Sequence, residues 1–487
     1  MSRSSAAIDV DSMLRDAVAL HRAGRLDKAE PLYLAILREV PEHFDALHLI
    51  GVVRQQQGRD AEAIAFIDRA LALRPDNPAA LSNRGLSLRA LGRAQEALAS
   101  CERAIRLKPD YADALNNRGL ALATLRRLAE ALKSYEQALA LDPLHLDALN
   151  NRGIALFELG RLDEALACFD RALTIRPDHV HATWNRAQVL LLGGDFARGW
   201  PAHEGRLASN PGLQRRFDKP LWLGDAPVDG KTVLLHAEQG LGDTIQFCRY
   251  APMVAARGAR VILEVHKPQV ELMRTLDGAL EVIARGDVLP PFDLHCPLPS
   301  LPLAFKTDLT TIPGEAPYLR APSDVAWNER LGAKRPRIGL VWSGNPGHKR
   351  DRDRSVPFHA LMPLFDLDAT FVSLQKDVRP GDAGILKQTQ VIDAAGALTT
   401  FGETAALVAH LDLVISVDTS VAHLTGALGK PLWLLLPQVP DWRWLMGRDD
   451  SPWYASARLF RQDGARAWGL VIARVRAALQ ETVAGGA

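Results

Sequence analysis

A step of 34 residues governs the amino-terminal part of this chain. Gly24-Arg25, Gly58-Arg59, Gly92-Arg93, Arg126-Arg127, Gly160-Arg161 and Gly194-Asp195 follow one another at that interval. Pro41, Pro75, Pro109, Pro143, Pro177 and Pro211 keep the same step. So do Gly51, Gly85, Gly119 and Gly153, and so do Ala70, Ala104, Ala138 and Ala172. A unit this short cannot bury its apolar face alone, so successive units must stack into a solenoid. Small residues at fixed helical positions let two helices approach closely. A glycine closes the turn between them, and a proline ends the second helix. The expectation is an α-solenoid of five to six helix pairs over residues 1–211.

The period, the Gly/Ala positions and the terminal proline resemble the tetratricopeptide repeat. A second register runs inside the first. Asn83, Asn117, Asn151 and Asn185 recur in the first helix of each unit, each followed by an arginine. In tetratricopeptide arrays that helix lines the groove, and a primary amide can both donate to and accept from a peptide backbone. The ladder is similar to that of the protein O-GlcNAc transferases, which implies a groove for a protein or peptide partner. The bland reading stays open: Asn-Arg is repeat consensus on a solvated face. The segment from Gly194 to Trp200, with Trp184 before it, departs from the pattern and reads as a capping unit. Residues 212–228, with Pro220, Trp222 and Pro227, read as a connector.

From Lys231 the periodicity changes. Short apolar runs (Val233–His236, Val261–Val265, Ile338–Trp342, Thr370–Leu374, Leu413–Val417 and Leu432–Leu436) alternate with helical stretches. That alternation implies parallel sheets with crossover helices. Two runs open similar units, VLLHAEQGLGD at 233 and IGLVWSGNPG at 338. The expected architecture is therefore the solenoid followed by two Rossmann-like α/β lobes, residues 229–333 and 334–487, with a cleft between them.

Four stretches carry candidate chemistry. Gly240 and Gly242 make a glycine turn after the first strand, and Asp243 opens a helix there. Asp418, Thr419 and Ser420 follow the strand Leu413–Val417 and open a helix bearing His423. Its amide N–H groups and dipole suit a diphosphate. Ser343, Asn345, Lys349 and Arg354 lie just past the strand at 338, where a glycine-rich backbone with cations suits phosphates. Gln375 ends another strand with a polar fork. Each has an ordinary alternative: helix caps for Asp243 and Asp418–Ser420, a solvated basic loop for 343–354, and packing for His423.

Taken together, GLGD, WSGNPGHK, SLQKD and VDTSVAHLTGALGKP resemble the heptosyltransferase-like glycosyltransferases of GT-B fold. The resemblance implies an inverting glycosyltransferase. Asp243 matches its general base, and Ser343, Asn345, Lys349, Arg354, Gln375, Asp418, Thr419, Ser420 and His423 fall on the donor side. A nucleotide-sugar would be the co-substrate, with no other cofactor. The metal-binding form D-x-D occurs at Asp351-x-Asp353, but Arg350, Arg352 and Arg354 surround it, so no metal is expected. The match departs at Gln239 and Leu241 and in the short amino-terminal lobe, where the acceptor would bind.

Composition narrows the partners. A net charge of +1 gives no basic field for nucleic acid. Four widely spaced cysteines make no C-x-x-C pair, which points to reduced thiols. No apolar run reaches the ~20 residues of a membrane helix, and the start of the chain lacks the apolar core of a signal peptide. The cytoplasm is the expected location. The competing reading is a catalytically silent repeat scaffold in flagellar or surface-polysaccharide assembly.

Overall fold

The structure is a computed structural model that describes residues 9–485, apart from Val325 and Lys349. The chain divides into two compact units, Met1–Ala182 and Thr183–Ala487.

The first unit consists of antiparallel helix pairs at the 34-residue step: Val10–Arg22 with Leu26–Glu39, Phe44–Gln56 with Asp60–Leu73, Pro78–Ala90 with Ala94–Leu107, Ala112–Thr124 with Leu128–Leu141, and Leu146–Glu158 with Leu162–Ile175. Within a pair the helices meet at the mid-helix glycine. A Cβ on Gly119 would lie 2.4 Å from the Tyr135 ring, and one on Gly153 would lie 2.6 Å from Phe169. The residue closing each turn is left-handed, as Gly92 (φ 77°) and Gly160 (φ 77°) are; Arg126 takes the same conformation (φ 64°) without being glycine. The arginine after each turn is also explained. Arg59, Arg93, Arg127 and Arg161 each grip the glutamate three residues on through two N–H groups, at 2.6–2.7 Å. These pairs are exposed and contribute little beyond a tidy first turn.

The second unit begins inside the last repeat rather than after it. Its helices Phe196–His203 and Gly205–Ser209 bury Phe196, Trp200, His203 and Arg206, and the Trp200 indole N–H donates to the Thr307 carbonyl at 2.8 Å. The sequence placed the division near residue 211. It falls earlier because these aromatic and charged side chains are core residues of the α/β unit. The connector continues the docking: Trp222 donates its backbone N–H to His295 O at 2.8 Å, and Leu221 bridges to His295.

The α/β unit holds two wholly parallel sheets. The first contains β1 (Thr232–His236), β2 (Arg260–Val265), β3 (Ala279–Ala284) and β4 (Leu294–Pro297), in the order β3-β2-β1-β4. The second contains β5 (Arg337–Val341), β6 (Thr370–Ser373), β7 (Ile392–Asp393), β8 (Leu413–Val417), β9 (Leu432–Leu436) and β10 (Ala457–Arg461), in the order β10-β9-β8-β5-β6-β7. β1, β5 and β8 are buried along their whole length, as strands covered on both faces must be. In both sheets the strand order reverses beside the first strand, between β1 and β4 and between β5 and β8. Ligands of open parallel sheets bind at such reversals, outside the carboxyl ends of the strands. The last helix, Trp468–Gly485, packs Val471, Ile472, Val475 and Leu479 into the core of the second sheet.

Candidate functional site

The loop leaving β1 carries the glycine turn, and the helix Leu241–Phe247 starts on it. Asp243 sits at the third position of that helix. Its Oδ2 accepts the Gly240 N–H at 2.8 Å, which holds the turn closed. The other oxygen, Oδ1, reaches the carboxyl-terminal lobe and ion-pairs with the Arg443 guanidinium. The Asp243 side chain keeps 19% of its surface exposed, so it is reachable from solvent.

Opposite lies the helix Ser420–Ala427, leaving β8. The two helices meet at their amino ends. A Cβ on Gly242 would fall 2.7 Å from the His423 ring and 3.5 Å from the Ser420 Cα, so only glycine permits this approach. Asp418 caps the strand, with its backbone oxygen accepting from Arg354 Nη1 at 2.9 Å. Thr419 caps the helix without a side-chain bond to its first N–H groups; its hydroxyl is instead hydrogen-bonded to Ser416 Oγ at 3.2 Å. Thr419 and Ser420 are half-exposed.

Electrostatics divide the cluster. Burial, with the neighbouring Asp441 charge, pushes the Asp418 carboxyl up to about 6. Burial opposes ionisation of Asp441 too, but the Arg443 guanidinium and its hydrogen bonds hold that carboxyl below the usual range. Arg443 donates to Asp441 Oδ1 at 2.8 Å and to Gln246 Oε1. Burial works against its charge, and Asp441 and Asp243 outweigh burial, raising its pKa. His423 is only 5% exposed. Its ring stacks on Trp444, and Nδ1 lies 2.8 Å from the Tyr454 hydroxyl. Burial lowers it to about 3, so it is neutral at physiological pH.

The loop after β5 approaches the same edge. Arg354 lies across Gly344, where a Cβ would meet its guanidinium at 2.3 Å. Ser343 is buried, and its Oγ has no hydrogen-bond partner among the described residues. Asn345 is exposed and accepts the Gly347 N–H at 2.8 Å. Gln375 braces rather than faces the site. Its Oε1 accepts the Trp342 and Ser343 N–H groups, and its Nε2 donates to the Ser343 and Asp377 carbonyls. Lys349 lies outside the described residues. Asp351 is buried, ion-pairs with Arg379 and lies 3.6 Å from Arg354 Nε.

In the repeats, the amides of three ladder asparagines point to the preceding unit. Asn83 Nδ2 lies 3.0 Å from His48 Nε2, Asn117 Nδ2 donates to Ser82 Oγ at 3.0 Å, and Asn151 Nδ2 donates to Asn116 Oδ1 at 3.0 Å. Asn117 is buried, and Asn83, Asn151 and Asn185 are half-buried. The ladder therefore sews neighbouring units together.

Arg443 is the site residue that sequence reasoning missed. Its one signal was an arginine between two tryptophans shortly after a buried strand.

Comparison with known proteins agrees with both parts. The tetratricopeptide repeat family model matches residues 14–78, 82–145, 116–179 and 150–199. The model of glycosyltransferase family 9 (heptosyltransferase) matches residues 386–435, the stretch holding β7, β8, the helix Ser420–Ala427 and nearly all of β9. The chain is similar to protein FlbA of Caulobacter vibrioides, with 27% identity over 332 residues, 61% of this chain and 54% of that protein. It thus spans about half the length of that curated relative. Among solved structures it is similar to TTC0263, a tetratricopeptide protein of Thermus thermophilus (28% identity, TM-score 0.35, covering 37% of this chain and 99% of that one). It is also similar to pilF of Pseudomonas aeruginosa (19%, TM-score 0.36, 42% and 92%). The chain is a tetratricopeptide array followed by a parallel-sheet α/β region consistent with GT-B, in which residues 386–435 match the glycosyltransferase family 9 model. No helix among the described residues is long and apolar enough to cross a membrane.

Proposed function

We propose that the α/β unit is an inverting glycosyltransferase that moves a sugar from a nucleotide-sugar to a hydroxyl acceptor. The observation that carries this reading is the meeting of two loop–helix junctions from different sheets. Asp243 leaves β1 and the helix Ser420–Ala427 leaves β8, and Gly242 lies against His423. In this reading the acceptor oxygen attacks the anomeric carbon, and Asp243 takes the hydroxyl proton. The bond to the diphosphate breaks, and the nucleoside diphosphate leaves with inversion. Each Asp243 oxygen already accepts one hydrogen bond and keeps a lone pair for that proton.

The leaving charge needs cations and amides. Arg354 and the first-turn amides after Thr419 supply them at the exits of β5 and β8, with the Ser343 hydroxyl beside them. The reaction is read as metal-independent, because Asp351 of the D-x-D form is taken up by Arg379 and Arg354. The repeats are read as the recruiting part, holding a protein acceptor through polar side chains of the first helices of each unit. A silent scaffold is the second reading. It is favoured by the same Asp243–Arg443 pair, which satisfies the carboxylate without any substrate.

Thermal unfolding with a panel of nucleoside diphosphates and their sugars separates the two. A ligand at 100 times its Kd stabilises by about 2.7 kcal/mol. The transferase reading expects a rise in Tm with at least one nucleotide, lost in Arg354→Ala. No rise with any nucleotide favours the scaffold.

A further inference from the structure

The second helix of the last repeat, Phe196–His203, and the helix Gly205–Ser209 after it lie directly behind the Asp243 turn. They reach it by two routes.

The first route is aromatic. The Trp200 indole is fixed by its hydrogen bond to Thr307 O. It meets the Trp442 ring edge-on, with centroids 5.3 Å apart at 88°. His203 meets the same ring at 6.1 Å, and Phe247 stacks on it at 6.4 Å. Trp442 in turn lies under the Arg443 guanidinium, 4.3 Å from its centroid. Arg443 holds Asp243. Trp200, Trp442 and His203 are all nearly inaccessible to solvent, so a change at Trp200 cannot be absorbed by water. The contacts are van der Waals packing in a dense interior, which transmits displacement.

The second route is ionic. Arg206 grips Glu238 through two N–H groups, both at 2.8 Å, and donates to Ser300 Oγ at 2.7 Å. Glu238 follows β1, two residues before Gly240. Ser300 follows β4. One buried guanidinium therefore ties together the exits of the two strands that flank the reversal in the first sheet. Burial, reinforced by the Arg206 and Arg443 charges, keeps His203 neutral, so it adds no like charge beside either arginine.

We propose that this end of the repeat array is a positioning element of the transferase site: Trp200, acting through Trp442, holds Arg443 on Asp243, while Arg206, acting through Glu238, fixes the turn that presents it. The proposal rests on the reading of Asp243 as the base, and its test needs no sugar donor. The charged and titratable groups facing Asp243 are Arg443, Asp441, Asp418 and His423 from the carboxyl-terminal lobe, and Glu238 with Arg206 behind its own turn.

The probe is a thiol at position 243. All four native cysteines are buried, so in an Asp243→Cys whole chain the new thiol is the one open to iodoacetamide. Its alkylation rate against pH gives its titration midpoint. Beside Arg443 that midpoint is expected below the ~8.5 of a free thiol. Adding Arg443→Gln is expected to raise it by about one unit, a roughly tenfold loss of thiolate near pH 7. Adding Trp200→Leu is expected to raise it by a comparable amount. Trp200→Phe, which removes the indole N–H and one ring, gives a smaller rise of the same sign. It decides the matter if the leucine chain does not fold. A midpoint unmoved by Arg443→Gln, or one moved by Arg443→Gln but by neither Trp200 variant, overturns the proposal. A thiol that responds as expected in a chain that transfers no sugar leaves the positioning intact and removes the transferase reading instead.

Discussion

His423 is the residue where burial most changes the sequence reading. On the helix surface one turn past Asp418 it reads either as a ligand for phosphate or ribose or as a packed residue. In the structure it is sealed between Trp444 and Tyr454 and stays neutral down to about pH 3, so it brings no positive charge to a phosphate. The consequence is a pH-dependent stability term. A histidine held neutral in the fold contributes stability fully above its unfolded value of 6.5. That contribution is lost as pH falls toward about 3. Asp418 runs the other way. Its contribution is present below 3.8 and lost as pH rises through about 6. In urea unfolding, the stability excess of the native chain over His423→Gln is expected to shrink by about 1.6 kcal/mol between pH 6.5 and 5, the slope approaching ~1.4 kcal/mol per unit below pH 6. An excess independent of pH contradicts the assignment. At this scale Asp243, Gly242 and Asp418 were legible because strand–glycine–helix and strand–hydroxyl–helix junctions have a spacing to recognise. Arg443 was not. Its role depends on a neighbour 200 positions away, and the WRW triplet that carries it has no periodicity. Gln375 sits where the sequence put it, at a strand end, but backbone groups no pattern reveals take up its amide.

Among the elements, the repeats were read almost whole, because glycine and proline mark their turns and their helices share one step. The structure also separates two jobs for glycine. Gly92 has a left-handed φ and no atom within 4 Å of its missing Cβ, so Gly92→Ala costs only conformation, about 1 kcal/mol. Gly119 faces the buried Tyr135 ring, and Gly119→Ala forces overpacking that costs about 2–3 kcal/mol. Unfolding midpoints should therefore fall further for Gly119→Ala, and an equal fall contradicts the close helix contact. Strands β1, β2, β5, β6, β8 and β9 were recognisable as apolar runs. Four were not. β4 hides among prolines, β7 has two residues, and β3 and β10 carry charge inside the strand (Glu281, Arg458). All four end their sheets, where a strand has one neighbour fewer and needs less apolar sequence.

For the whole chain, length and periodicity gave the order of parts: a solenoid, then two parallel-sheet lobes. They did not give the seam. Trp184 and Trp200 marked a departure from the repeat, and the structure gives the reason. The last helix pair spends its aromatic residues on the α/β unit, so the compact division falls at Thr183. Both sheets reverse their strand order; the exits of β1 and β8 meet through Gly242 and His423, and the loop after β9 adds the Asp243–Arg443 pair. The stretch at 386–435 that matches the glycosyltransferase family 9 model includes the helix Ser420–Ala427 at this junction. The most direct test uses the sugar nucleotide that raises Tm. Release of its nucleoside diphosphate is followed with the native chain and with Asp243→Asn. Loss of a positioned base is expected to slow release by about 10²-fold or more while the thermal shift is kept. Release at the native rate in Asp243→Asn contradicts the account.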